Sequence, residues 1–103
     1  MSAVVDKFLR YVKIDTQSDE DSTTFPSTEK QKDLARLLTR ELKEMGAADV
    51  RMDETYGYVY ATLPSNRKED GKKVPVLGFI AHMDTSPAVS GKNAVSYTHL
   101  RAH

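Results

Sequence analysis

The chain has 103 residues, with 15 Lys and Arg balanced by 15 Asp and Glu, and no cysteine. That length allows one domain or a piece of one, and the even charge supplies no basic face to draw nucleic acid or an acidic membrane. The lack of cysteine excludes disulfides, thiol nucleophiles and cysteine zinc sites, and fits a reducing, cytoplasmic setting. No apolar run approaches the roughly 20 residues of a membrane helix, and Asp6, Lys7 and Arg10 interrupt any signal-peptide core.

Residues 3–14, AVVDKFLRYVKI, place Val4, Val5, Phe8, Leu9 and Val12 at helical spacing with Lys7, Arg10 and Lys13 opposite. The acidic, Ser- and Thr-rich DTQSDEDSTTFPS that follows reads as a loop. A second helix is expected from Ser27 or Thr28, where Thr28 and Gln31 form a capping-box pattern and Glu29 suits the helix dipole. Leu34, Leu37, Leu38, Leu42 and Met45 form its apolar stripe, and Gly46 suits its end.

The pattern then changes to strands. Val50 to Asp53 is a short candidate; Tyr58 to Pro64, YVYATLP, alternates and follows a turn at Gly57. Ser65 to Lys73 is a charged connector. Val74 to Ala81, VPVLGFIA, is apolar without alternation, as in a strand covered on both faces of an α/β sheet. The expected order is two helices then three strands, an α/β class. Tyr56, Tyr58 and Tyr60 follow the strand period and read as packing residues. Asp19, Glu20 and Asp21 read as a solvated loop, without the ligand geometry of a cation site.

His82 and Asp84 directly follow that third strand, at the end where open α/β sheets collect their ligands. On extended backbone, residues two apart point to one side, so both can face one pocket while Met83 turns away. A metal-binding histidine commonly donates its other ring N–H to a carboxylate, which fixes its tautomer. The plainer reading makes His82 a satisfied strand-end histidine and Asp84 a turn cap with Thr85 and Ser86. On so short a pattern that reading leads. Ser86 is rejected as a nucleophile: no G-x-S-x-G elbow surrounds it, and the following Pro87 favours extended backbone.

Longer stretches shift the balance. AHMDTSP followed by SGKN, with DTQS after the first helix and PSTEKQ opening the second, resembles the start of the peptidase T family. These are tripeptide aminopeptidases within the wider dinuclear-zinc aminopeptidase and carboxypeptidase family. The likeness runs from about residue 4 to Asn93. The His-x-Asp core is common to the wider family, whereas Asp84 to Pro87 and Ser90 to Asn93 point to peptidase T. The resemblance implies an N-terminal part of a zinc-peptidase-like α/β catalytic domain, truncated, over residues 1–94. It makes His82 a ligand to one of two Zn2+ ions and Asp84 the active-site carboxylate steering its imidazole. The remaining metal ligands, the general-base glutamate and a second domain used for dimer contacts are expected downstream. The implied activity is release of the N-terminal residue of tripeptides by the parent protein, with this fragment inactive. A related dipeptidase or deacylase, and a non-catalytic binding module, are the alternatives.

After Asn93 the likeness stops. Residues 95–103, VSYTHLRAH, match the translation of a transposon-type sequencing adapter, and are expected to be a non-native tail. His99 and His103 are four apart, but no glutamate lies between them as a helical zinc-peptidase motif requires. They are not expected to be ligands.

Overall fold

A computed structural model describes residues 2–95; most of the expected tail, with His99 and His103, lies outside the described residues. Helix α1 runs Ala3–Tyr11 and begins where Ser2 accepts a hydrogen bond from the Val5 N–H at 3.3 Å. It ends three residues before Ile14, the end its apolar spacing predicted. Lys13 is already drawn away, its carbonyl accepting from the Asn93 N–H at 3.2 Å. No α1 residue is buried. The helix is tied to the next by polar groups: Arg10 and the Tyr11 hydroxyl both donate to the Glu41 carboxylate.

Helix α2, Gln31–Glu44, starts later than the capping-box pattern predicted. The Thr28 hydroxyl does not turn inward to the helix N–H groups; it donates to the Gln17 carbonyl at 2.8 Å. The Lys32 and Asp33 N–H groups instead reach the carbonyls of Glu29 and Lys30 in tight turns, both at 3.0 Å. Gly46, with φ of 84°, takes the left-handed conformation just past the helix end as expected.

Strands β1, Ala48–Met52, and β2, Val59–Thr62, form an antiparallel hairpin with Arg51 opposite Tyr60 and Met52 opposite Val59. The register shifts between Ala48 and Arg51, where Asp49 has a positive φ of 49°, a bulge that bends β1 over α2. The connecting turn is held by Asp53, whose carboxylate accepts from the N–H groups of Thr55 and Tyr56 at 2.8 and 3.1 Å. Gly57, with φ of 77°, is buried there against the stem of Lys32, whose ammonium reaches Glu29. Leu34 and Ala35 are the buried apolar residues among those described.

The third strand expected at Val74–Ala81 is not formed. None of the described strands lies alongside to take its N–H and C=O groups, and its residues are exposed. The two-sided burial that its unbroken apolar run implied is therefore missing. Val76 is 97% exposed and Phe79 93%. The radius of gyration, 16.9 Å, reflects this openness against about 13 Å for a compact chain of 100 residues. No helix among the described residues is long and apolar enough to cross a membrane.

Two outcomes follow. Exposed, unpaired apolar chain seeks partners of its own kind. Ile80→Lys is therefore expected to lower concentration-dependent light scattering, while a urea titration shows stability changed by less than about 0.5 kcal/mol. The Tyr11–Glu41 contact sets a pH dependence. Burial, then the bond to Glu41, pushes the Tyr11 hydroxyl up to about 12. The bonds from Tyr11 and then Arg10 hold Glu41 below its usual 4.5. The Glu41 contribution is complete above pH 4.5 and is lost as pH falls through its lowered folded value. Glu41→Gln should flatten that acid limb, and Tyr11→Phe should cost about 1 kcal/mol at neutral pH in the same titration.

Candidate functional site

The extended backbone from His82 to Asp84 puts both side chains on one side, as residues two apart require. His82 Nδ1 lies 3.0 Å from Asp84 Oδ1. An ionised carboxylate only accepts, so in a neutral ring Nδ1–H is the donor and Nε2 keeps its lone pair. The His82 side chain is 85% exposed, leaving Nε2 open to a ligand. Asp84 is 43% exposed and faces the imidazole. The following turn is capped by Ser86, whose hydroxyl accepts from the Ala88 N–H at 3.1 Å.

His82 and Asp84 line a cleft of about 310 Å³ with Phe25, Pro26, Tyr56 and Tyr58. Met83 is half-buried and also faces a neighbouring apolar cleft of about 440 Å³, walled by Leu38, Leu42 and Tyr60. The three tyrosines follow one another along the hairpin, with ring centroids 6.3 and 6.4 Å apart, the first pair tilted and the second edge-to-face. Asp19, Glu20 and Asp21 are all exposed.

The chain just past Asp84 is fixed from a distance. The Thr85 N–H donates to the Thr16 carbonyl at 3.1 Å, and the Thr85 carbonyl accepts from the Ser18 N–H at 3.0 Å and its hydroxyl at 2.9 Å. Gln17 Nε2 donates to the Pro87 carbonyl at 3.0 Å. Thr16 is only 3% exposed, one of few buried polar residues. The sequence marks Thr16 to Ser18 as loop and Thr85 as turn, with no contact between them. Their bonds are to main chain, and no residue spacing signals such a contact.

The donor set sets a limit on metal binding. Nε2 of His82, with Nδ1 held by a carboxylate, is what a zinc-ligating histidine presents. A catalytic zinc takes about three protein ligands. Among the described residues no three His, Cys, Asp or Glu side chains gather to hold an ion. His82 and Asp84 fit as one ligand and its orienting partner, and as no more than that.

No family model matches the chain. Over 93 residues it is 61% identical to a peptidase T of Desulfitobacterium hafniense strain Y51. It is 60% identical to that of Halothermothrix orenii and 56% to that of Clostridium acetobutylicum, again over 93 residues. The chain is homologous to peptidase T. Each match takes in 90% of this chain, so the likeness runs through α2 and the hairpin and is not confined to a short motif. The chain spans only 22% of the length of these curated relatives.

The His82–Asp84 contact makes a spectroscopic prediction. Asp84→Asn removes the charged acceptor, so the imidazole should shift from the Nδ1–H toward the Nε2–H tautomer. Nitrogen chemical shifts of His82 at a pH where the ring is neutral would register the change. Identical spectra would show that Asp84 does not set the tautomer.

Proposed function

We propose that the protein to which this segment belongs is a zinc-dependent aminopeptidase that releases the N-terminal residue of tripeptides. The observation that carries the reading is the 61% identity over 93 residues to a protein named peptidase T. The 3.0 Å contact between His82 and Asp84 supports it chemically. In this reading His82 binds one of two zinc ions through Nε2. Asp84 holds the ring in the tautomer that leaves Nε2 free, and by sharing negative charge makes it a better donor. Zinc held there would lower the pKa of a coordinated water and stabilise charge on the attacked carbonyl oxygen. The remaining ligands and the proton-transferring glutamate belong to parts of the protein that this segment does not contain. A dinuclear-zinc α/β catalytic domain, a dimer and a cytoplasmic location form part of the same proposal.

The test grafts this segment onto the Desulfitobacterium relative in place of its own aligned residues. The chimera is expected to cleave tripeptides, lose activity with a chelator and regain it with zinc. His82→Ala should abolish turnover. Asp84→Asn should lower zinc affinity or activity by roughly 10- to 100-fold. Full tripeptide cleavage by the His82→Ala chimera would sink the assignment. Cleavage confined to dipeptides or acylated amino acids would move the protein to another branch of this chemistry.

A further inference from the structure

The aim of His82 depends on main chain that its own neighbourhood does little to hold. Among the described residues, Val74 to Asp84 makes no backbone–backbone hydrogen bond, and the His82 ring touches only Asp84 through a hydrogen bond. The segment is gripped at its far end. Thr85, next to Asp84, is pinned on both of its peptide groups by Thr16 and Ser18, which run parallel to it for one residue pair, Gln17 beside Thr85. Gln17 repeats the grip two residues on, at the Pro87 carbonyl.

That gripping segment is itself anchored. Thr28 donates to the Gln17 carbonyl at 2.8 Å, and Lys30 reaches Asp15 at 3.1 Å, both from the turn that leads into α2. Asp15 also accepts from the Gln17 N–H at 3.1 Å. The Gln17 bond and then Lys30 hold its carboxyl below the usual aspartate range. A series of hydrogen bonds therefore runs from the turn before α2, through Asp15 to Ser18, to the main chain of Thr85, the residue next to the carboxylate that bonds His82.

We infer that Thr16 to Ser18 is a positioning strap for the His82–Asp84 pair, acting through the Thr85 main chain, with Ser18 and Gln17 as its positioning side chains. The inference rests on the zinc reading of His82. Metal ligands must be held within about half an ångström of their working geometry. Loss of a group that orients a ligand typically weakens metal binding by 10- to 100-fold. The Ser18 hydroxyl bonds Thr85 itself, next to Asp84, whereas the Gln17 side chain acts two residues further on at Pro87, so Ser18 carries the larger share. The strap makes no hydrogen bond to His82 or Asp84 among the described residues. Its effect is on where the ring points.

The experiment measures zinc affinity by competition with a chelator in the grafted full-length protein, alongside hydrogen exchange at the Thr85 amide. Ser18→Ala is expected to weaken zinc binding about tenfold and to speed exchange at Thr85, with turnover recovering as zinc is raised. Gln17→Ala should move both readouts the same way by less, and covers the case in which Ser18→Ala fails to fold. Ser18→Thr, which keeps the hydroxyl, should bind zinc like the parent. A merely structural role would lower the melting temperature and leave zinc affinity unchanged, and that result overturns the strap. In that case His82→Ala still losing a zinc would leave the proposed function standing. If His82→Ala binds zinc as the parent does, the assignment of His82 falls, and the strap with it.

Discussion

The main chain of Thr85 is where this structure is held together around its candidate site. Three hydrogen bonds from Thr16 and Ser18 meet on its two peptide groups, joining segments 67 residues apart. Thr85 itself is exposed, and the partners of its main-chain groups are supplied by a loop and not by a sheet. The buried Thr16 sits at the centre of this contact. Without it, the chain carrying His82 and Asp84 would have an unpaired apolar run on one side and an exposed turn on the other. The position of the imidazole is thus set by backbone geometry, and its tautomer by a single carboxylate.

Apolar packing contributes little by comparison. Leu34 and Ala35 are buried, while Val4, Phe8, Phe79 and Val76 stand largely in solvent. Helix α1 is joined to α2 through Arg10, Tyr11 and Glu41, a polar tether in the place where an amphipathic helix would ordinarily bury a stripe. Hydrogen bonds of this kind contribute modestly to stability but strongly to geometry, because each has a narrow range of angles. The arrangement therefore specifies where the elements lie more firmly than it stabilises them.

Both helices and both strands of the hairpin were legible in the sequence, because period and turn chemistry are local properties. Leu34 and Leu38 marked one helix face, and Gly57 the turn. Boundaries were less legible where a side chain had a distant alternative. Thr28 has the right spacing to cap α2, yet its hydroxyl goes to Gln17, and the helix begins at Gln31. Val74 to Ala81 carries the composition of a buried strand, but a strand needs neighbours, and composition does not reveal whether they are present. That the side chains of His82 and Asp84 meet was legible, because a spacing of two on extended chain places both on one side. The contribution of Gln17 and Ser18 was not, since their bonds to Thr85 and Pro87 depend on the path of the whole chain.

The diversion of the Thr28 hydroxyl also bears on the order in which the parts assemble. Gln17 and Thr28 are only 11 residues apart, so closing that loop costs little chain entropy. The contact from Ser18 to Thr85 spans 67 residues and must wait for a much larger closure. The short loop and the start of α2 can therefore be in place as a ready template before the histidine-bearing segment arrives. The site is then completed by docking a late segment onto an early one, and a chain emerging residue by residue makes its template long before it makes its ligand.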